Sequence, residues 1–496
     1  MLKRYKDIPW FGWGYATLLI SYTLYRLAIP AADTDLWGYL AFGRLFWGQD
    51  SFPYEDVFAY VPTLHPWVYH EWLTGVVFYP LYQSLGGFGL QTFKYAAAFA
   101  ILGLTYATAR RRGASTQAAV LCLAMMIGGL RAGFSPVRAQ VFTYGFFALT
   151  LYLLETARIK GERRLLLALP FIFLPWANLH AGFVAGLGLI GLYALGELIS
   201  RRPFWPYLAV LLLAAVVTLI NPYGWRYLTY LQRALAMPRP AITEWASIYQ
   251  ALGIGVLGLD GLLYVFLLLV FCLMVLRHEP HQDRTSLLVL GVIFALGVRH
   301  IRHLLFFFLC FGAYLPRSLK PYEEDLRVRF PSGLPARWRV ILGVLILGAS
   351  LVLTVSAVRL DPFRLQVPTE PQANGKFVRF YPIGAVRYLK DRAVPGKVLV
   401  YFDWGEFVLW QLSPPYRVAI DGRFETVYPD AVCQKYFDFM EARPNWREFL
   451  QQFPPDFILL PSDMEIAALL KKDAGWQVIY TDAWCILFER PCNLFH

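Results

Sequence analysis

Long apolar runs alternate with short basic clusters over the first 358 residues of this 496-residue chain, and that alternation restricts the fold more than any other feature. Apolar runs at 88–109, 114–130, 137–157, 165–177, 183–199, 204–220, 252–276, 287–298, 304–315 and 340–358 follow one more near the N-terminus. Between them stand Arg110, Arg111 and Arg112, the loop RIKGERR, Arg201 with Arg202, Arg277, and Arg317 with Lys320. A helix of roughly 20 apolar residues spans a bilayer, and basic clusters mark the cytoplasmic side. The pattern predicts a polytopic α-helical membrane protein of about eleven spans plus juxtamembrane helices. Lys3, Arg4 and Lys6 put the N-terminus in the cytoplasm, and the last crossing leaves residues 359–496 outside. The N-terminal run has the basic start of a signal peptide, but no small-residue cleavage site follows it, so it is read as a transmembrane helix. Residues 71–85 are assigned to an amphipathic helix on the outer surface, because a crossing there would send the triple arginine outside.

Composition agrees with this reading. A chain with 57% hydrophobic and only 16% charged residues is too apolar for an ordinary soluble enzyme. Its net charge of +12 resides in the loop clusters, so topology accounts for it and nucleic acid is excluded as a partner. Cys485 and Cys492 could pair in an exported region; the alternative is that Cys433, Cys485 and Cys492 are unpaired thiols.

Beyond Asp361 the pattern changes to short β-rich runs, KVLVYFD, RVAIDGR, FILLPSD, WQVIYTD and WCILFER, with helical stretches at 407–412, 436–449 and 464–470. The expected organisation is therefore a transmembrane domain at 1–358, with a catalytic external loop at 31–87, and a small α/β extracytoplasmic domain at 359–496.

The external loop carries the densest set of reactive side chains. Asp33 and Asp35 can accept a proton or hold a divalent cation; a helix N-cap is the plainer reading of the pair. His70 and Glu71 follow in HPWVYHEW, where stacked aromatics and a few polar groups suit a sugar. Arg131, Arg138, Arg299 and Arg302 sit at other outward helix ends, where guanidinium groups suit phosphate oxygens; snorkelling to lipid headgroups is the plainer alternative. His180 and Glu244 lie on the same side. Asp35, Glu71, His70 and His300 are the candidate ligands of a divalent metal ion, the only cofactor considered. His300 and His303 would share a face if their segment is helical.

Taken together these residues resemble the GT-C class of integral-membrane glycosyltransferases, which use polyprenyl-phosphate-linked sugars. The resemblance is carried by Asp33 and Asp35 in the first external loop, Trp37-Gly38-Tyr39, the HPW and HEW elements, residues 131–140, Trp176 to His180, Asn221-Pro222-Tyr223-Gly224 and Glu244-Trp245. It covers about two-thirds of the chain and does not extend to substrate. In the tail, Tyr401-Phe402-Asp403-Trp404-Gly405 is similar to the WWDYG element of oligosaccharyltransferase catalytic subunits, though both leading tryptophans are missing. A strand end turning into a helix, with Gly405 relieving backbone strain, is the plainer reading of that stretch. Asp403 is kept as a candidate acceptor-binding residue.

The resemblance implies transfer of a sugar from a polyprenyl-phosphate donor to a glycan, lipid or protein acceptor of the cell envelope, at the outer face of the cytoplasmic membrane. Asp33 would be the base of an inverting displacement, Asp35 with His70 or Glu71 would position the acceptor or a cation, and the arginines would hold the phosphate. A transporter or flippase of lipid-linked glycans, or an envelope assembly scaffold with an exported tail, are the alternatives.

Overall fold

Helices occupy the apolar runs and stop where helix-end chemistry stops them. The helix Gln140–Lys160 carries Arg158 and Lys160 in its last turn and ends at Gly161, whose φ of 71° is the left-handed conformation that closes a helix. The helix Arg284–Arg299 starts at Asp283, which takes a backbone N–H of the first turn. At Gly86, φ 58° and ψ −150° interrupt the helical stretch Trp72–Arg111. An L side chain rarely adopts that conformation, so the stretch is two helices, broken between 85 and 88 as the sequence predicts.

The computed structural model describes residues 9–491 apart from 135, 238–241, 255–260, 262–263, 266–268, 270–282, 330–334, 371, 375–376 and 393. The N-terminal basic residues, most of the run at 252–276, Cys272 and Cys492 lie outside the described residues, and so does the pairing of Cys485 with Cys492.

Two compact units emerge, each drawn from three separate stretches. The first comprises Met1–Pro30, Gln91–Ile220 and Pro238–Arg364, and it is helical. Its helices include Pro9–Arg26, Thr116–Phe134, Phe183–Ile199, Trp205–Val217, Leu304–Tyr314 and Ala336–Arg359. Among the described residues one helix, Ala336–Arg359, is long and apolar enough to cross a membrane by length and composition. Several of the other expected crossings are shorter: Leu304–Tyr314 has 11 residues, and Leu169–Leu179 has 11 and continues back through the 3-10 turn Arg163–Ala168.

Two arginines assigned to the basic surface clusters are instead buried in this unit. Arg112 pairs with Glu155 and with Asp283, and Arg158 reaches Glu155, Glu197 and Asp283. Tyr193 donates to Glu155 at 2.6 Å and Thr285 to Glu197 at 3.0 Å, which adds neutral donors to the buried acids. Counted as surface charge they overstate the cluster, because Asp283, which neutralises both, is remote from them in sequence, as Glu155 is from Arg112.

The second unit comprises Ala31–Leu90, Asn221–Met237 and Leu365–His496. The contacts thus group the external loop with the tail, whereas hydropathy draws its boundary at residue 358. The strands are β1 (Gln372–Asn374), β2 (Phe377–Arg379), β3 (Gly396–Val400), β4 (Tyr416–Val418), β5 (Phe457–Pro461), β6 (Gln477–Thr481) and β7 (Cys485–Glu489). All five expected strands form one sheet of order β4-β3-β5-β7-β6; β3 runs parallel to β4 and β5, and β7 antiparallel to β5 and β6. The hairpin of β1 and β2 was not expected. The stretch 436–449, expected as one helix, is two, Asp430–Met440 and Arg447–Gln452. Ala442 with φ 53° and the following Arg443-Pro444 end the first of them.

Backbone hydrogen bonds stitch the external loop to this sheet. Val418 N–H donates to Phe58 O at 2.9 Å and Tyr60 N–H to Val418 O at 3.0 Å, so residues 58–60 extend the β4 edge. Leu64 N–H donates to Val427 O at 2.7 Å, and Ala32 N–H to Gln366 O at 2.8 Å. The Tyr381 hydroxyl adds a bond to Ala32 O at 3.0 Å.

Candidate active site

Parallel pairing brings the C-terminal ends of β3 and β4 to one edge of the sheet, where strand ends commonly present functional groups. After β3 comes the 3-10 turn Phe402–Trp404 and then the helix Gly405–Leu412, which starts with Gly405-Glu406. Asp421-Gly422-Arg423 follows β4. Gly405 has an ordinary helical φ of −54°, so it relieves no strain. Space is the reason for it: a side chain there would come within 2.6 Å of Asp421 Cβ and 2.8 Å of Ile420 O.

Arg423 is the hub of a buried charged group. Its Nε and Nη2 donate to the two oxygens of Asp421 at 2.8 and 2.6 Å, and Nη1 donates to Asp56. Asp421 also accepts from the Tyr428 hydroxyl at 2.7 Å, and Asp56 from Ala59 N–H at 2.7 Å. Arg423 lies over the rings of Phe58 and Trp67, at 4.9 and 5.1 Å. The acidic loop is thereby fastened at Asp56.

Asp33 and Asp35 stand where that loop enters the helix Leu36–Trp47. Asp33 is fully buried, and its Oδ1 accepts the Asp35 N–H at 3.2 Å. Asp35 keeps partial exposure and occupies the N-cap position, yet makes no capping bond with its side chain. Its φ of −73° and ψ of −18° are helical, which turns the side chain away from the first-turn N–H groups, and the Gly38 N–H donates instead to Glu406 Oε2 at 2.9 Å. Burial holds the Glu406 carboxyl well above the usual carboxylate range; Asp35 and Asp421 push it further up, while Arg423 and the Gly38 N–H oppose the rise. Asp56 belongs to the acidic external loop and Asp421-Gly422-Arg423 is a polar cluster at a predicted strand end, whereas in the sequence Glu406 marks only the start of a helix. The signal was there in part: D-W-G-E and D-G-R each follow a predicted strand, and only their pairing brings them together.

His70 and Glu71 belong to the same unit. His70 Nδ1 lies 2.8 Å from the Tyr230 hydroxyl with the two rings stacked, and Nε2 lies 3.6 Å from Glu71. The NPYG segment holds this stretch in place, because the Tyr223 hydroxyl accepts the Tyr69 N–H at 3.0 Å. Asp403 is in the turn after β3 and exposed.

The other expected site residues lie in the first unit. Arg138 pairs with Glu244. His300 Nδ1 donates to Trp245 O at 2.6 Å, and Arg302 lies 4.6 Å over the Trp245 ring, so the Glu244-Trp245 segment is held against residues 300–302. The helix ends at Arg299; His300 precedes and His303 closes the 3-10 turn Ile301–His303, with rings 6.0 Å apart, not on one α-helical face. Burial, with Arg302 and His300 beside it, holds the His303 imidazole down at about 4. His180 Nδ1 accepts the Gly182 N–H at 2.8 Å, which puts the proton of a neutral ring on Nε2. Arg299 is exposed, and Arg131 is in the last turn of the helix Thr116–Phe134. One cation passed over in the sequence is Lys94, buried with Nζ 2.9 Å from Leu27 O; a lysine inside an apolar run is itself a signal.

Among the described residues no three His, Cys, Asp or Glu side chains form a group that could hold a metal ion. Asp35, His70 and Glu71 of the second unit accordingly form no such group by themselves, and no step is assigned to a metal.

Neither a family model nor a curated protein matches the chain. Solved structures do. ArnT from Cupriavidus metallidurans bound to undecaprenyl phosphate is similar with a TM-score of 0.56 at 13% identity, over 98% of this chain and 99% of that one. Its apo state gives 0.56 at 12% identity, over 97% of each. An Archaeoglobus fulgidus oligosaccharyltransferase tethered to an acceptor peptide containing the NVT sequon gives 0.52 at 13% identity, over 98% of this chain and 75% of that one. At such identities the likeness is one of fold, and the fold of this chain is of the GT-C class.

Proposed function

We propose that this chain is a membrane glycosyltransferase that moves a sugar from a polyprenyl-phosphate donor to an envelope acceptor on the extracytoplasmic face. The observation that carries the reading is the acidic pair at the head of the helix Leu36–Trp47, one acid, Asp33, buried and the other, Asp35, open to solvent. Its partial exposure suits it to meet an acceptor, whereas Asp33 is buried against it. We therefore move the base role from Asp33 to Asp35, with Asp33 fixing the Asp35 backbone through its N–H. The acceptor O–H gives its proton to Asp35, the oxygen attacks the anomeric carbon, and the bond from that carbon to the phosphate oxygen breaks. Polyprenyl phosphate leaves with the electron pair, and the configuration inverts.

Arg138, Arg299 and Arg302 are assigned to phosphate by their chemistry, and His70 and Glu71 to the acceptor. The GT-C fold supports this class of reaction, since a neighbour with that fold binds undecaprenyl phosphate. Membrane residence is supported by the helix Ala336–Arg359 and by the apolar helices of the first unit.

The test is consumption of a radiolabelled polyprenyl-phosphate sugar by purified wild-type, Asp35→Asn and Asp33→Asn proteins. Loss of the base is expected to lower turnover by roughly 10²–10⁴-fold in Asp35→Asn, with a smaller loss in Asp33→Asn. Unchanged turnover in Asp35→Asn sinks the assignment.

A further inference from the structure

We propose that Trp245 is a positioning residue for the donor: its ring holds the Arg302 guanidinium in place, still charged and with its N–H groups uncommitted, for the phosphate of a lipid-linked sugar. The inference rests on the reading of the chain as one that takes a polyprenyl-phosphate donor.

Arg112, Arg158 and Arg423 are each matched by carboxylates. Arg302 is not. It lies half-buried in the 3-10 turn Ile301–His303, and among the described residues it makes no hydrogen bond and no ion pair. Its contact is with a ring: the guanidinium carbon stands 4.6 Å from the centre of Trp245. The face of an indole attracts a cation without cancelling its charge or taking a directed hydrogen bond. The fork of N–H donors that suits phosphate oxygens therefore remains for a ligand. A carboxylate in the place of the ring would have to be displaced first.

Backbone bonds pin the two segments that carry the pair. Ile301 N–H donates to Ala246 O at 3.0 Å, and His300 Nδ1 donates to Trp245 O at 2.6 Å. The His300 ring packs edge-on against Trp245 at 5.3 Å, which limits rotation of the indole. Glu244, the preceding residue, pairs with Arg138 and so ties the same segment to a second arginine. Glu244, Arg302 and Arg138 all act through space on the Tyr144 hydroxyl, so these charges share one neighbourhood.

The phosphodiester of the donor and that of a bulk phospholipid present the same chemistry to Arg302, and a titration separates them. The full-length protein is labelled with fluorotryptophan in dodecyl maltoside, and the Trp245 fluorine resonance is assigned by its loss in Trp245→Phe. Undecaprenyl phosphate is expected to shift that resonance saturably in wild type and to leave it in place in Arg302→Met. Phosphatidylglycerol at the same concentrations should not move it. No shift with undecaprenyl phosphate, or an equal shift with phosphatidylglycerol, overturns the proposal. Affinity is then read from binding of radiolabelled undecaprenyl phosphate. Trp245→Leu should weaken it by roughly 2- to 30-fold, and Trp245→Phe, which keeps a ring, should recover most of that. In an Arg302→Met background Trp245→Leu should weaken binding no further, because the ring acts through Arg302. Wild-type affinity in Trp245→Leu, or an equal loss in both backgrounds, overturns the positioning role. The resonance shift is independent of whether Trp245→Leu folds. Turnover is measured separately: a protein that binds in this pattern but never consumes a polyprenyl-phosphate sugar refutes the transferase reading alone.

Discussion

Arg423→Met tests the buried charged group directly. The Arg423 side chain is 1% exposed and both its carboxylate partners are 0% exposed, so no water stands ready to replace the guanidinium. Methionine has similar reach and can keep the packing against Phe58 and Trp67, which makes the loss electrostatic. Removing one partner of a buried ion pair costs about 3–5 kcal/mol, since the remaining charge is left uncompensated. Here one substitution strands both Asp421 and Asp56, so the upper part of that range applies. Arg423→Lys keeps a cation but not the fork that bonds two acids at once, and should cost less, about 1.5–3 kcal/mol. The assay is urea unfolding of detergent-solubilised protein, followed by tryptophan fluorescence and by dye labelling of Cys433 and Cys485, which are buried in this unit. A triple variant with Asp56→Asn and Asp421→Asn added should recover much of the loss, because no buried charge is then unpaired. An Arg423→Met protein within about 1 kcal/mol of wild type would refute the reasoning.

Three further outcomes follow from neighbouring residues. Gly405→Ala forces a methyl group against Asp421 and Ile420 O and should lower the stability of the second unit by about 1–3 kcal/mol, read from the same unfolding curves. Tyr230→Phe removes the hydroxyl from His70 Nδ1 but keeps the stacked ring, so the expected cost is about 1 kcal/mol; a loss of the whole fold would contradict it. The folded Glu406 carboxyl binds its proton more tightly than the unfolded one, so between the two pKa values the folded state carries more protons. Stability is therefore highest below about 4.3, as far as this group is concerned, and falls as pH rises through the raised folded value. Melting curves across this range should slope less steeply with pH in Glu406→Gln; parallel slopes would count against a raised Glu406.

The sequence was most informative where structure is local. Five runs of β-branched and aromatic residues became the five strands of the sheet, and the apolar run before Arg201 and Arg202 located Phe183–Ile199 to the residue. The pair β1 and β2 escaped because QAN and FVR belong to no run of β-branched and aromatic residues. Charge was read less well, because the partner of a charge is seldom near it in sequence. Arg112 looked like a surface cation until Glu155 and Asp283 were found beside it. In the candidate site, Asp33 and Asp35 stood out since they lie two residues apart and follow an apolar run. Glu406 did not, because its meaning depends on a glycine 368 residues away.

The stitching of residues 31–64 to the tail also bears on how the molecule is made. Phe58 and Tyr60 find their backbone partner in Val418, and Ala32 finds its partner in Gln366. Synthesis delivers the acidic loop first and must run through the whole first unit before those partners exist. The loop therefore waits with open edges, and closing it costs the chain entropy of a very long segment. A ribosome that stops before β4 leaves a chain in which the acidic loop has no sheet edge to pair with and Asp56 has no Arg423 to hold it.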